Sequence, residues 1–236
     1  MSRRLSPAFV LIALLVCVVV TGPLLSPYAP NAQLDIITLR SQAPSLAHPF
    51  GTDAVSRDVL SRVLDGGRVS LALAILSVSL SLVVGTLYGA ISTLAGGVID
   101  TTMRRLLDVA LSIPRLLVLL AVGALWGALS FPALVLLIGL TGWFATARLV
   151  TDELRALGAL EFAIAARAMG VRGPRLLWRH LLPHLLPTLV ITASFGVAGT
   201  IALEAGLSYL GLGIQAPQAS WGTILRDSAG VVQSEW

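Results

Sequence analysis

The stretch VSLALAILSVSLSLVVGTLYGAISTLAGGVI, residues 69 to 99, contains no charged side chain. A helix needs about 20 apolar residues to cross the hydrocarbon core of a bilayer, so this run is long enough for a membrane span. The pair Gly96-Gly97 predicts the point at which the chain leaves the membrane. This run indicates that lipid forms much of the solvent of this protein.

The composition of the 236 residues agrees with that indication. Hydrophobic residues make up 56% and charged residues only 12%, about half the charged share of a soluble domain. A chain this apolar would collapse, which excludes a disordered protein. The net charge of +4 comes from arginines spread along the chain without interleaved aromatic residues, so nucleic acid is not expected as a partner.

Three further apolar regions complete an all-α, polytopic membrane protein of about five spans. Residues 8–25 resemble a signal peptide but are long and lack a clear cleavage site, so they are interpreted as an uncleaved first span. Residues 116–147 are too long for one span and contain the breaker Ser130-Phe131-Pro132. A split there predicts spans at about 105–129 and 133–149, and a fifth follows at about 185–203.

Arginine counts predict the orientation of these spans. With the N-terminus in the cytoplasm, the inner segments 1–7, 96–115 and 148–180 contain eleven arginines. The outer segments 26–68 and 207–236 contain five arginines and six acids. A single span over 116–147 would place the arginine-rich loop outside, so the split is preferred.

The spans divide the chain into four parts. They are residues 1–28, the N-terminal tail and first span; 29–68, an extracytoplasmic segment with an interfacial helix; 69–206, a core of spans two to five with a cytoplasmic loop at 150–184; and 207–236, an extracytoplasmic C-terminal segment.

The loop sequence EFAIAARAMGVRGPRLLWRHLLPHLLP, residues 161 to 187, predicts two short helices. The predicted apolar face of the first consists of Phe162, Ala165, Ala166 and Met169. Gly170 stands where a helix usually stops, and Pro174 suits the first turn of the next helix. Such a helix–turn–helix fits a groove on another protein, or it lies on the lipid surface; the pattern leaves both interpretations open.

This loop resembles the EAA loop of bacterial ABC importer permeases. The small residues and the Leu-Pro pair match its spacing, whereas Ile164 and His180 replace its glutamate and isoleucine, as in the peptide-transporter branch. The resemblance implies that the loop couples the chain to a partner ATPase through Ala165, Ala166, Arg167, Met169, Gly170, Leu182 and Pro183.

Two other segments resemble the second permease subunit of dipeptide, oligopeptide and nickel importers. One precedes the second span and contains the extracytoplasmic motif Gly51, Thr52, Asp53, Arg57 and Asp58. Its charges either contact a soluble binding protein or pair within an interfacial helix capped by Thr52 or Asp53. The other is Glu204 to Gly213, followed by Trp221. Glu204 and Ser208 are candidates for the translocation path, while Glu204 alternatively only bonds local backbone at the interface.

The resemblance implies a subunit of a peptide importer in the inner membrane of a bacterium or archaeon. The implied partners are a second permease subunit, two ATP-binding subunits and an extracytoplasmic solute-binding protein. Nickel or another small solute is the alternative cargo. Such permeases normally continue into a sixth span, so the end at Trp236 suggests a short form, a fragment or an inactive remnant.

No catalytic, cofactor or metal site is expected in this chain. A P-loop requires lysine, and the sequence contains none, so ATP hydrolysis is expected on partner subunits. His180 and His184 lack the glutamate of an H-E-x-x-H site. The rival of another class is an ion-coupled secondary carrier, whose expected signature is acids or broken helices at span midpoints, but Asp108 and Glu204 lie near span ends.

Overall fold

A computed structural model of the chain describes residues 17–19, 21–22, 24, 26–127, 129–215 and 217–229. The predicted first span, 8–25, lies mostly outside the described residues. Among these described residues the regular elements are helices, in chain order α1 (Val59–Ala95), α2 (Gly97–Ser112), α3 (Arg115–Trp126), α4 (Phe131–Gly158), α5 (Glu161–Ala168), α6 (Gly173–Leu176), a π-helical turn (Leu177–Leu181), α7 (Leu182–Tyr209) and α8 (Trp221–Ala229).

The described helices support an all-α membrane protein. Three segments are long and apolar enough to cross a bilayer: α1, α4, and the continuous stretch Gly173–Tyr209. The bent pair of α2 and α3 makes a fourth if it counts as one span. The predicted breaks are confirmed, because α1 ends just before Gly96 and α4 begins at Phe131.

The predicted third span at 105–129 is wrong as a single helix. α2 and α3 meet at 66° around Ile113 and Pro114. Proline disfavours the helical conformation of the residue before it, and Ile113 is accordingly extended, with φ −88° and ψ 121°. The proline ring therefore bends the chain within the run that the sequence suggested as one span.

The prediction of a separate interfacial helix before the second span is also wrong. α1 begins at Val59 and continues without a break for 37 residues, about 55 Å. Its cap is Asp58 rather than Thr52 or Asp53, because one Asp58 carboxylate oxygen accepts the N–H of Ser61 at 2.8 Å and the Ser61 hydroxyl at 2.6 Å.

The chain forms two compact units. The first comprises Met1–Ala72, Gly127–Ser130 and Ile201–Trp236, and the second Leu73–Trp126 and Phe131–Thr200. In the second unit, α1 packs on α4 along a seam of two glycines, Gly85 and Gly89. A Cβ on Gly85 would lie 2.6 Å from the Thr146 Cβ, and one on Gly89 2.7 Å from a Val150 methyl. Glycines four residues apart let two membrane helices approach closely, and this spacing sets the α1–α4 packing.

Candidate coupling loop and buried polar clusters

The loop between α4 and α7 turns at Gly170. Gly170 has φ +84°, a conformation that carries little steric cost for glycine. Its N–H donates to the carbonyl of Arg167 at 2.9 Å, and the N–H of Val171 donates to that of Ala166 at 3.0 Å. The two bonds form a Schellman cap that closes α5. The helix stop predicted at Gly170 is therefore confirmed.

The second helix of the loop begins as the sequence predicts. α6 has Pro174 in its first turn. The chain then makes a π-helical turn, in which the N–H of Leu182 bonds to the carbonyl of Leu177, and it continues into α7. Pro183 follows directly and has no N–H to donate to the preceding turn. The loop is thus joined to α7 by continuous helical backbone.

The inward face of α5 differs from the predicted one. Ala163 and Ala166 are buried and pack against a cluster contributed by α4, α6 and the π-helical turn, which includes Leu154, Leu176, Leu177 and Leu181. Of the predicted face, Ala166 is buried and Phe162 half-buried, whereas Ala165 and Met169 are exposed. Apolar residues surround most of α5, so their spacing does not identify which side packs inward.

The outward face of α5 presents apolar side chains to the surroundings. Ile164 is 54% exposed and Met169 is 78% exposed. Beside them, Met169 to Arg172, Pro174 and Arg175 line a depression of about 440 Å³. Exposed apolar groups beside a concave surface are typical of a protein contact.

The other predicted coupling residues have structural contacts of their own. Arg167 donates to the carbonyl of Gly158 at 3.0 Å, which ties α5 to the end of α4. Leu182 is half-buried against the leucine cluster, and Pro183 is exposed.

His180 and His184 make their contacts with each other and with Phe162. The Nδ1 atom of His184 lies 2.6 Å from the carbonyl oxygen of His180. The His184 ring stacks on Phe162 with 4.9 Å between ring centroids. In the part of the chain that the structure describes, no group of three or more potential metal ligands occurs.

Glu204 lies in a buried polar cluster of the first unit and is 1% exposed. One carboxylate oxygen accepts the hydroxyls of Ser208 at 2.6 Å and Ser220 at 2.8 Å. The other accepts the hydroxyl of Ser70 at 3.3 Å. These four side chains are called the Glu204 cluster below. They join the fourth turn of α1, the end of α7 and the residue before α8.

The packing around the Glu204 cluster leaves little space. A Cβ on Gly222 would lie 2.7 Å from the Ala205 Cα, and one on Gly213 would lie 2.6 Å from the Ser208 nitrogen. The indole N–H of Trp221 donates to the carbonyl of Val63 at 3.0 Å. These contacts favour an anchoring role for Glu204 and Ser208, and their place on a translocation path stays a prediction.

The motif that the sequence predicts to be extracytoplasmic folds into an ordered loop before α1. Gly51 has φ +71°. The Thr52 hydroxyl bonds the carbonyl of Leu39 and accepts the N–H of Gln42. Asp58, 1% exposed, bonds Nδ1 of His48 at 2.9 Å. The motif therefore organises its own loop.

Two arginines and two aspartates form an ion-pair cluster beside that loop. Asp53 and Asp227 each contact both Arg57 and Arg62, at 2.6 to 3.0 Å. Burial raises the pKa of Asp53, but the N–H groups of Arg57 and Val55 and the Arg57 guanidinium outweigh this effect, and the pKa lies below its ordinary value. This contribution to stability is present at neutral pH and is lost as the pH falls through the lowered pKa. Of the two interpretations of these charges, contact with a soluble binding protein or pairing within the chain, the ion pairs agree with the second.

Some functional candidates were not identified from the sequence. Ser70 and Ser220 look like ordinary polar residues until α1 and α8 bring them to Glu204. Asp100, buried in α2, forms ion pairs with Arg104 and with Arg155 of α4. Arg115, counted above with an inner loop, bonds the carbonyl of Ile138 within α4. Only the Asp100–Arg104 pair, four residues apart on one helix, has a local sequence signal.

Known proteins resemble most of this chain. Residues 81–233 match the family described as binding-protein-dependent transport system inner membrane component. A peptide permease protein of Brucella suis biovar 1 (strain 1330) is 42% identical over 230 residues, which cover 96% of this chain and 75% of that protein. The dipeptide transport system permease protein of Bacillus subtilis (strain 168) is 33% identical, covering 96% of this chain and 69% of that protein. The oligopeptide transport system permease protein of Haemophilus influenzae (strain ATCC 51907 / DSM 11121 / KW20 / Rd) is 38% identical, covering 84% and 64%.

Proposed function

This chain belongs to the family of inner-membrane components of binding-protein-dependent transport systems, and from that premise we propose that it carries di- or oligopeptides across the inner membrane. It is the permease subunit of an ATP-driven importer and a membrane protein. The names of its dipeptide and oligopeptide permease relatives support a peptide cargo over nickel.

The energy for transport comes, in this proposal, from separate subunits. The sequence has no lysine and therefore no P-loop of its own. The complete importer then contains a second permease subunit, two ATP-binding subunits and an extracytoplasmic solute-binding protein. This chain supplies half of the membrane path.

We propose that the outward face of α5 docks on the partner ATP-binding subunit. Ile164 and Met169 are exposed while Ala163 and Ala166 fasten the same helix to α4 and the π-helical turn. A helix that is held on one side and apolar on the other suits docking into a groove of a partner protein. When ATP closes the partner pair, the docked loop moves with it and pulls on α4 and α7, between which it is connected.

The proposed orientation rests on the arginine asymmetry. The Arg115 side chain donates to the carbonyl of Ile138 in α4, so it is left out of the count of loop arginines. Ten arginines then remain on the proposed inner side and five on the outer side. That excess still favours a cytoplasmic N-terminus and a cytoplasmic coupling loop.

An ion-coupled carrier is less well supported. Such carriers commonly use an intramembrane acid to bind the coupling ion. The Asp108 carboxylate pairs with Arg148, and the Glu204 carboxylate accepts three serine hydroxyls. Both acids have structural partners.

The proposed function predicts ATP-dependent uptake. The chain is to be assembled with its second permease and ATP-binding subunits in proteoliposomes, and uptake of a radiolabelled tripeptide measured with the binding protein outside. We expect uptake with ATP inside and none with a non-hydrolysable analogue. Uptake driven by an ion gradient in vesicles that contain this chain without ATPases would refute the proposal.

Docking through α5 predicts a second result. Met169→Asp places a charge on the exposed apolar face, and we expect the ATP-binding subunits to be lost during purification of the tagged complex. Leu46→Asp is the matched control, because the Leu46 side chain is also apolar and exposed but lies in the predicted extracytoplasmic segment. Equal recovery of ATP-binding subunits with both variants would disprove docking at Met169.

A further inference from the structure

A cavity of about 500 Å³ lies among α1, α3, α4 and α7 within the second unit. Its volume is in the range of roughly 300–1,000 Å³ that is typical of small-molecule sites. Four buried hydroxyl groups line it, those of Ser77, Ser81, Thr146 and Thr200. Most of the remaining wall is glycine or apolar side chain, and Arg115 is its one charged lining residue.

The guanidinium of Arg115 is held in place on one side only. Its Nε donates to the hydroxyl of Thr141 at 3.1 Å, and its Nη2 donates to the carbonyl of Ile138 at 2.6 Å. Among the described residues, Nη1 has no hydrogen-bond partner, and no carboxylate forms an ion pair with Arg115. A cation among membrane helices without a counter-ion marks a functional group by default.

The neighbourhood of Arg115 is kept open by a glycine. A Cβ on Gly142 would lie 3.1 Å from Nη2 of Arg115 and 3.2 Å from the hydroxyl of Ser81. A larger residue at position 142 would therefore crowd the space between the guanidinium and the hydroxyl groups. The arrangement leaves a donor-rich corner beside a fixed positive charge.

We propose that Arg115 binds the carboxylate of the peptide as it passes through this cavity. The inference rests on the proposed peptide function and adds a site to it. A guanidinium forms short, charge-assisted bonds with a carboxylate, and among partly buried groups their attraction is screened less than in bulk water. The Ser77 hydroxyl already donates to the carbonyl of Val135, whereas the hydrogen-bonded Ser81–Thr146 pair keeps one O–H that can donate to the same group. A purely structural role, fastening the α2–α3 bend to α4, accounts for Nε and Nη2 but not for Nη1.

The test compares two probes that differ only in this charge. The importer is assembled with its partner subunits in nanodiscs without the binding protein, and equilibrium binding of trialanine and of trialaninamide is measured. Wild type should bind trialanine about tenfold more tightly, as expected for one charge-assisted contact. Arg115→Gln should remove that preference while the affinity for trialaninamide is unchanged, and Arg115→Lys should retain part of it.

A matched arginine serves as the control. Arg148 lies on α4 outside the cavity and pairs with Asp108 and Asp152, so Arg148→Gln should keep the preference for trialanine. Equal affinity of wild type for the two probes, or equal weakening of both by Arg115→Gln, would overturn the carboxylate site. So would the absence of any binding to wild type, although ATP-driven uptake with the binding protein would then still support the proposed function.

Discussion

Replacing Gly170 by valine is expected to lower ATP-driven peptide uptake by about tenfold or more while the chain remains in the membrane. At φ +84° a β-branched residue is disfavoured by roughly 1–2 kcal/mol, and about 1.4 kcal/mol shifts an equilibrium tenfold. A Cβ at this position meets no atom within 4 Å, so the effect comes from backbone conformation rather than from a clash. Uptake and ATP hydrolysis are measured in the same proteoliposomes.

The control separates conformation from side-chain size. Asparagine tolerates the left-handed region better than other residues with a side chain, so Gly170→Asn should keep most of the uptake. Hydrolysis that continues in the valine variant without uptake would indicate uncoupling. Normal uptake by Gly170→Val would show that the turn does not transmit the motion of the ATPases.

Glu204→Ala is expected to destabilise the chain by roughly 3 kcal/mol or more, because three buried hydroxyls lose their common acceptor. For a chain of this size, that corresponds to a drop of about 10 °C in the apparent melting temperature. The measurement is thermal unfolding of the purified complex in detergent, followed by tryptophan fluorescence.

Two further variants test whether the loss of stability comes from the lost hydrogen-bond acceptor. Glu204→Gln retains one acceptor oxygen and should lower the melting temperature by less than half as much. Glu153→Ala removes a half-buried carboxylate that forms no ion pair among the described residues, and it should change little. An unchanged melting temperature in Glu204→Ala, with uptake lost, would instead favour a path-lining role.

Breaks in the helices were predictable where a local signal dominates. Gly96-Gly97 and Ser130-Phe131-Pro132 interrupt apolar runs, and helix ends lie at both places. The bend at Pro114 was missed because a count of uncharged residues gives more weight to length than to one proline. The sequence also suggested that a separate interfacial helix ends before Val69, because charges and the glycine pair at 66–67 precede that residue. In the structure, packing keeps this segment continuous with α1.

The site was predictable in its turn chemistry but not in its contacts. Gly170 and Pro174 act through their own backbone, so their roles follow from residue type. The inward face of α5 depends on which apolar side meets Leu177 and Leu181. The partners of Glu204 are up to 134 residues away. Such pairings arise only when distant helices meet.

The glycine seam between α1 and α4 makes the thickness of the bilayer part of the energetics of this protein. The uncharged part of α1, from Val69 to Ala95, is about 40 Å long, and that of α4, from Phe131 to Ala147, is about 26 Å. A hydrocarbon core of about 30 Å is shorter than the first and longer than the second. Free helices would relieve such mismatch by tilting independently. The close approach at Gly85 and Gly89 binds the two into one pair, so a thicker membrane relaxes α1 at the expense of α4, and a thinner membrane does the reverse.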